Sequence, residues 1–175
     1  MTDITVRPTG PEEWRLYRSV RLAALADAPY AFCSTWSGEN AFPEERWRER
    51  LTRRNTFLAE DAEDGGRPCG LVSVLPEEPR RAELVSMWVA PGARGRGAAD
   101  LLVEAALAWA DGHGRPEVRL WVTEGNEPAE RLYARHGFRR TGEWQSVREG
   151  EDTREFAMVR PEPPAPGDRD DGVSR

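Results

Sequence analysis

The stretch that decides the fold runs from Glu83 to Asp111 and reads ELVSMWVAPGARGRGAADLLVEAALAWAD. Its first part, Leu84 to Val89, is an apolar run with the length and composition of a buried strand. A Pro91-Gly92 turn follows, and from about Gly97 apolar residues recur every three or four positions, which is typical of a helix. The sequence therefore predicts a strand, a glycine-rich loop and a helix in succession.

The glycine-rich loop suits a phosphate-bearing ligand. A helix N-terminus presents unpaired N–H groups and partial positive charge, and glycines let an anion approach the backbone closely. Arg94 and Arg96 add charge at the same place. Two common nucleotide motifs are absent, because the chain has no lysine for a P-loop and Asp100 occupies the last position of the dinucleotide pattern G-x-G-x-x-[GA]. A solvated Arg/Gly turn before a core helix is the alternative interpretation.

The loop also matches the signature of a known family. Arg94-x-x-Gly97-x-Ala99 resembles the [QR]-x-x-G-x-[GA] pattern of the GCN5-related N-acetyltransferases (GNAT), in which loop amides bind the pyrophosphate of acetyl-CoA. The family's second segment, N-x-x-A-x-x-L-Y-x-x-x-G-F, is matched by Asn126, Ala129, Leu132, Tyr133, Gly137 and Phe138. The two motifs occur in the family's order, and the resemblance is close from Ala82 to Val159.

This resemblance implies a single domain of mixed α/β (α+β) class, with a central, mostly antiparallel sheet of about seven strands flanked by four helices. The order predicted along the chain is strand, two helices, three strands, helix, strand, helix and two strands. We expect the domain to occupy residues 1–160. The segment Asp27–Pro43 is predicted to be irregular, and Pro161–Arg175, rich in Pro, Gly, Asp and Arg, is predicted to be a disordered tail.

The same resemblance assigns two catalytic residues. It makes Tyr133 the general acid for the departing thiolate, and an unperturbed tyrosine, with a pKa of about 10, stays protonated at neutral pH. Glu83, at the start of the central strand, corresponds to the general base of histone-type members, and Glu124 is the reserve candidate. An ordinary glutamate, with a pKa of about 4.3, is a poor base for an ammonium group unless burial raises the pKa or water relays the proton.

Acetyl-CoA is the co-substrate that the resemblance implies. The loop amides are expected to hold its pyrophosphate, the strand is expected to splay from its neighbour and bind the pantetheine arm, and the Val89 amide becomes the candidate oxyanion donor. The expected cofactor-binding residues are Met87, Trp88, Val89, Arg94, Gly95, Arg96, Gly97, Ala98, Ala99, Asn126 and Tyr133.

The acceptor is expected over the centre of the sheet, between residues 27–42 and residues 145–152. The aromatic side chains that could wall it are Tyr30, Phe32, Trp36 and Trp144. Each site residue also has an ordinary structural explanation. The aromatic residues and Tyr133 could simply pack in the core, Asn126 could be only a helix N-cap, and Glu83 could be a solvated carboxylate at a strand end.

Composition limits the partners. The net charge is −6 and all 25 basic side chains are arginine, as expected from a GC-rich bacterial genome. The negative charge argues against nucleic acid and favours a cationic acceptor. The N-terminus has no secretory apolar segment and no apolar run approaches the ~20 residues that span a bilayer, so we expect a soluble, cytoplasmic protein without a membrane partner. The cysteines and histidines have no metal-ligand spacing, so no metal is expected.

These observations favour an acetyl-CoA-dependent N-acetyltransferase that acts on a small primary amine as a monomer or homodimer. One alternative is N-terminal or lysine acetylation of a protein. Against it, the chain has Val122-Thr123-Glu124-Gly125 where the ribosomal-protein enzymes of the family usually carry V-R-x-S. The alternative from another class is a non-catalytic acyl-CoA sensor, against which Tyr133 argues, because a pure binder needs no positioned acid.

Overall fold

One seven-stranded sheet organises this computed structural model, which describes residues 3–164. The strands lie in the order β1-β2-β3-β4-β5-β7-β6, and each neighbouring pair is antiparallel except β4 and β5. The elements are β1 (Ile4–Thr9), α1 (Trp14–Asp27), α2 (Trp36–Asn40), α3 (Glu44–Glu49), β2 (Thr56–Asp61), β3 (Arg67–Glu78), β4 (Arg81–Val89), α4 (Ala98–Gly112), β5 (Glu117–Thr123), α5 (Glu127–Arg135), β6 (Arg139–Ser146) and β7 (Arg154–Arg160).

The element order agrees with the sequence prediction, with one addition. The segment that was predicted to be irregular contains the short helix α2, so five α-helices flank the sheet in the described range, where four were predicted. The Thr35 side chain caps this helix by accepting a hydrogen bond of 3.2 Å from the Gly38 N–H. A helix of five residues is too short to show periodicity, which is why the sequence pattern did not reveal it.

The last strand of the sheet ends before the predicted tail. Strand β7 ends at Arg160, and Glu162 beyond it forms an ion pair with Arg80. The rest of the tail that was predicted to be disordered, residues 165–175, lies outside the described residues. Within the described range, no helix has both the length and the apolar character needed to cross a membrane.

The sheet separates two apolar cores. Helix α4 lies on one face, where Leu102, Val103 and Ala106 pack among the buried residues of β3, β4 and β5. On the other face α1 and α3 form a second core that includes Trp47 and Leu51. Along β5 the side chains alternate between buried and half-buried, because only the α4 face of this strand is covered. The opposite face of β5 is therefore only partly covered, and we call it the open face, although Glu155 and Ala157 of the neighbouring β7 are buried.

Strands β4 and β5 run side by side over only three residue pairs. The parallel ladder joins Arg81, Ala82 and Glu83 to Glu117, Val118 and Arg119, and both strands then continue without pairing to each other. This is the splay that the resemblance implied. It leaves one edge of β4, from Leu84 onward, without a neighbouring strand.

A bulge bends β4 beside the splay. Ser73 opposes Val85 and Leu71 opposes Trp88, so two residues of β4, Ser86 and Met87, lie opposite one residue of β3. Ser86, inside the bulge, has a φ of 60°, a conformation that non-glycine residues adopt rarely and at a cost.

A buried ion-pair network supports the bulge. The Ser86 hydroxyl accepts a hydrogen bond of 3.1 Å from Arg21 Nη1, and Arg21 donates to both oxygens of Glu39 at 2.8 and 3.0 Å. Arg50 binds the same carboxylate at 2.9 Å. Burial alone would raise the pKa of Glu39, but the hydrogen bonds and charges of the two guanidinium groups lower it to about 2. The stabilisation is therefore present above the unfolded pKa of about 4.3 and is lost as the pH falls toward 2.

We expect Glu39→Ala to lower the free energy of unfolding by about 3–5 kcal/mol, because truncation leaves the buried Arg21 without its counter-charge. Urea unfolding followed by tryptophan fluorescence measures the loss. Glu49→Ala is the matched control, since Glu49 is exposed and pairs only with the exposed Arg46, at 3.2 Å. It should change stability by less than about 0.5 kcal/mol. Similar losses in both variants would contradict the role assigned to Glu39.

Candidate functional site

A cavity of about 120 Å³ lies where β4 and β5 part. Its lining includes Met87 from β4, Trp121 and Thr123 from β5, and Asn126 and Tyr133 from the α5 region. Two predicted site residues, Asn126 and Tyr133, thus meet at one place, as their spacing of about two helical turns implied. The cavity is the meeting point of the candidate site.

Tyr133 reaches this cavity from α5 and is only 6 % exposed. Its ring packs edge-on against Phe138, with a distance of 5.7 Å between ring centroids. Burial raises the pKa of Tyr133 above its ordinary value, so the hydroxyl stays protonated at neutral pH. The side chain is both part of the core and a protonated hydroxyl beside the cavity.

The residues around the start of α5 divide between structural and site roles. Asn126 caps the helix, its Oδ1 accepting a hydrogen bond of 3.3 Å from the Ala129 N–H, and it also lines the cavity. Glu124, the reserve base, holds Arg154 at 3.1 Å on the surface. Its carboxylate is therefore already engaged.

The loop before α4 surrounds a second cavity of about 260 Å³. The first hydrogen bond of the helix runs from the Leu101 N–H to the Gly97 oxygen at 3.2 Å, so the amides of Ala98 and Ala99 have no partner within the helix. Gly97 has a φ of 83°, in the left-handed region that favours glycine. The cavity is lined by Val89, Ala93, Arg94, Gly95, Gly97, Ala98, Ala99, Asp100 and Arg135.

The positive charge at this loop differs from the prediction. Arg94 lines the cavity, but Arg96 turns away and pairs with Asp61 and, at 2.6 Å, with Glu63. Arg135 takes the predicted place of Arg96: it lines the same cavity, and Asp100 holds its Nε at 2.8 Å. Sequence reasoning missed Arg135, because an arginine in the last turn of a helix is typical of ordinary helix ends.

The cavity between β4 and β5 is called the cleft below. A groove of about 440 Å³ lies between the loop cavity and the cleft. It shares Arg94 and Arg135 with the loop cavity, and Met87 and Asn126 with the cleft cavity. The three spaces form one path from the N-terminus of α4 to Tyr133. The predicted cofactor residues Trp88, Val89 and Ala99 line the groove as well.

The backbone of Val89 faces this groove. The Ala90 N–H bonds the Cys69 oxygen of β3 at 2.7 Å, and successive residues of a strand direct their backbone groups to opposite edges. The Val89 amide is therefore directed toward the unpaired edge. The Val89 oxygen on that edge accepts a hydrogen bond of 3.0 Å from Arg94 Nε, and Arg94 Nη2 bonds Asp27 at 2.7 Å.

Glu83 stands at the last paired position of β4, where the cleft begins. Burial raises the pKa of its carboxyl group. The charges of Glu77 and Glu155 raise this pKa as well, whereas the charge of Arg119 lowers it. Glu155, on β7, is 8 % exposed, and burial raises its pKa too. Both carboxylates belong to the open face of the sheet. Glu155 could not be identified from the sequence, because nothing in the pattern of β7 distinguishes it from a solvated strand residue.

Only some of the aromatic residues that were predicted to line the acceptor site lie beside these cavities. Phe32 lines the cleft cavity, beneath the guanidinium of Arg21 at 4.7 Å. Tyr30 lines the groove that leads to the loop. Trp36 is the first residue of α2 and is 46 % exposed, and it lines none of the three spaces. Trp144 is also absent from them: it pairs with Phe156, 5.4 Å away between ring centroids, and Phe156 belongs to the core on the α4 face. The role of Trp36 and Trp144 as walls of an acceptor site therefore stays a prediction without a cavity beside either residue among these three.

Arg148 joins the two segments that flank the open face. From the turn between β6 and β7 its Nη2 donates to the Pro29 oxygen at 2.6 Å and to the Phe32 oxygen at 2.9 Å. Its Nη1 donates to Glu151 at 3.1 Å. We call this contact the strap. Sequence reasoning did not identify it, because the two segments are more than a hundred residues apart in the chain.

Comparison with known proteins gives a consistent result. The sequence profile of the Acetyltransferase (GNAT) family matches residues 20–138. Uncharacterized N-acetyltransferases of Mycobacterium tuberculosis and Mycobacterium bovis are 36 % identical over 98 residues, which is 55 % of this chain and 62 % of theirs. The chain thus spans less than two thirds of the length of these relatives.

Solved structures share the fold at low identity. A GNAT-family acetyltransferase from Streptococcus pneumoniae has a TM-score of 0.71 at 21 % identity, covering 89 % of this chain and 98 % of that one. A Salmonella typhimurium protein solved with its cofactor acetyl-CoA has a TM-score of 0.70 at 16 % identity, covering 89 % and 92 %. At these identities the similarity shows a shared fold, and the chemistry has to be argued from the residues of this chain.

Proposed function

Because the chain belongs to the acetyltransferase (GNAT) family, we propose that it is an enzyme that transfers an acetyl group from acetyl-CoA to a primary amine of a small molecule. One observation carries the proposal. A continuous path leads from the free amides at the start of α4 to the cavity lined by Tyr133. That path suits a ligand with phosphates at one end and a reactive group at the other.

The loop supplies the phosphate end of the path. The amides of Ala98 and Ala99, with the partial charge of the helix N-terminus, would bind the pyrophosphate of acetyl-CoA. Arg94 and Arg135 line the same cavity and add positive charge. The unpaired edge of β4 then offers backbone groups to the pantetheine arm, in the way that another strand would.

The cleft supplies the chemistry. As the amine attacks, the carbonyl oxygen gains negative charge, and the Val89 amide on the open edge of β4 is the proposed donor to it. The departing thiolate needs a proton, and the protonated hydroxyl of Tyr133 is the proposed source. The acid and the oxyanion donor thus come from different elements that meet at the splay.

The amine must lose a proton before it attacks, and Glu83 is the proposed acceptor of that proton, directly or through water. Burial raises its pKa, which brings the carboxylate closer to the basicity that an ammonium requires. Glu124 is the weaker candidate, because Arg154 holds its carboxylate.

The strap supports a small acceptor. Arg148 ties the β6–β7 turn to the segment after α1, across the face on which the acceptor is expected. The cavity beside Tyr133 has about 120 Å³, room for a small amine and little more. Both observations favour a small molecule over a folded protein surface.

Gly97→Trp is expected to abolish most acetyl-CoA binding, because a large side chain at a φ of 83° would displace the loop amides and fill the cavity above them. Calorimetry should give a micromolar or tighter Kd for the unchanged protein. Gly92→Ala is the control, since no atom lies within 4 Å of a Cβ at that position and its φ is not in the left-handed region. Equal affinity in the unchanged protein and Gly97→Trp would remove the loop from cofactor binding.

Tyr133→Phe should lower kcat by roughly ten- to a thousandfold with little change in KM for acetyl-CoA, because the proton is needed only as the sulfur departs and water partly substitutes. Steady-state kinetics and a melting temperature on one preparation measure both effects. Tyr17→Phe removes a hydroxyl from another buried tyrosine, in the core under α1, and should leave kcat within about twofold. An unchanged kcat in folded Tyr133→Phe would exclude the proposed acid.

Glu83→Gln should lower kcat/KM and remove the acid limb of its pH profile. In the unchanged protein activity requires the carboxylate, so the rate falls as the pH drops through the raised pKa of Glu83, and this limb should lie above the pKa of an ordinary glutamate, about 4.3. Glu124→Gln is the matched control and should keep the limb. A limb that survives in Glu83→Gln would assign the base to another group.

A further inference from the structure

The strap holds the part of the chain that lies beside the cleft. Ala31 and Phe32 line both the cleft and the groove, so they border the junction where a thioester in the groove and an amine in the cleft would meet. Trp121 and Thr123, from the open face of β5, line the same cleft. The position of residues 29–32 therefore sets how much space remains for the acceptor.

Little secondary structure fixes this segment from within. It contains one 3-10 turn, Pro29–Ala31, which the Ala31 N–H closes with a hydrogen bond of 3.0 Å to the Ala28 oxygen. The next helix, α2, begins only at Trp36. A segment with few backbone hydrogen bonds opens at a low free-energy cost, so contacts from other parts of the chain decide where it lies.

Arg148 supplies such a contact, and its guanidinium group suits the purpose. Nη2 donates to the oxygens of both Pro29 and Phe32, at 2.6 and 2.9 Å, while Nη1 donates to Glu151 at 3.1 Å. Hydrogen bonds from a charged donor are stronger than those between neutral groups, and the planar guanidinium reaches all three partners from one orientation. The side chain is half-buried, which shields these bonds in part from water.

A second arginine holds the ring of Phe32. The guanidinium carbon of Arg21 lies 4.7 Å from the ring centre, a distance at which a cation is attracted to an aromatic face. Glu39 and Ser86 fix that guanidinium with hydrogen bonds of 2.8 to 3.1 Å. Phe32 is 7 % exposed and packs in the core on the α1 face. Its ring is thus held by Arg21 and its backbone by Arg148.

We propose, on the basis of the N-acetyltransferase function above, that Arg148 determines acceptor specificity: the strap keeps Phe32 against the cleft and restricts the acceptor to amines on a slender, unbranched group. Arg148 lines none of the three spaces, so it acts through Phe32 as a positioning residue. A bulky group next to the aminomethyl carbon of an acceptor would meet the Phe32 ring.

A series of primary amines of increasing bulk tests the size limit. Ethylamine, butylamine, neopentylamine and cyclohexylmethylamine all carry an aminomethyl group, so their nitrogens are similarly basic and bulk is the main variable. Thiol release from acetyl-CoA gives kcat/KM for each amine. In the unchanged protein the two bulky amines should fall below butylamine by at least about tenfold, because one misfitting methylene in a pocket changes kcat/KM by about 10- to 200-fold.

An unrestricted cleft would give the opposite trend, since larger apolar amines bury more surface. Values of kcat/KM that stay level or rise with bulk would overturn the role of the strap and leave the acetyltransferase function intact. Absence of thiol release with every amine would overturn both.

The variants assign the size limit to the strap. Arg148→Ala should raise the ratio of cyclohexylmethylamine to butylamine kcat/KM by roughly ten- to a hundredfold, because residues 29–32 can then move away from the cleft. Phe32→Leu should move the ratio in the same direction, and Arg148→Lys, with a point charge in place of the fork, should lie between. Glu151→Gln is the matched control: it removes the charged partner of Nη1 but leaves both carbonyl bonds, and should keep the ratio.

This ratio separates specificity from a merely structural role. If Arg148 only stabilised the fold, Arg148→Ala would lower the melting temperature and slow all four amines alike. A ratio unchanged in folded Arg148→Ala would overturn the proposal. If that variant does not fold, Phe32→Leu decides by the same ratio.

Discussion

The parting of β4 from β5 after Glu83 is the constraint on which the candidate site depends. A strand buried in the middle of a sheet cannot leave its backbone groups unpaired without a large cost, so the open edge of β4 needs either water or a ligand. The groove beside that edge admits both. The bulge at Ser86 bends the strand at this point, and the buried network of Arg21, Glu39 and Arg50 holds the unusual backbone in place. Helices α1 to α3 thereby support a site that they do not themselves form.

The two ends of the site differ in the charge that they present. At the loop, free helix amides and two arginines present positive charge to an anion. At the open face, burial raises the pKa values of Glu83 and Glu155, and the charge of Arg119 opposes this rise only at Glu83. A cofactor rich in phosphate and an amine acceptor would each be attracted to its own end, and the cleft with Tyr133 lies between them.

The sequence predicted the parts whose signals are local. The glycine loop, the helix after it and the spacing of Asn126 and Tyr133 all lie within short windows, and the structure brings Asn126 and Tyr133 to one cavity. The sequence could not predict which arginine faces the loop. Arg96 pairs with Asp61 and Glu63 instead, and Arg135 comes from another helix. The strap and the burial of Glu155 depend on contacts between distant segments. Trp36 and Trp144 were assigned by residue type alone, and the strand register puts Trp144 on the other face.

Among the described residues the ion pairs use arginine and one histidine, His136, but no lysine, and this has a consequence for alkaline solution. A lysine loses its charge near pH 10.4, whereas a guanidinium keeps its proton beyond pH 12. The pairs that fasten Glu39, Asp61 and Asp100 all use arginine, so no titration of the cation weakens them at high pH. Alkaline unfolding of this protein would then have to begin with the ionisation of tyrosine or cysteine, while the arginine pairs keep their charge.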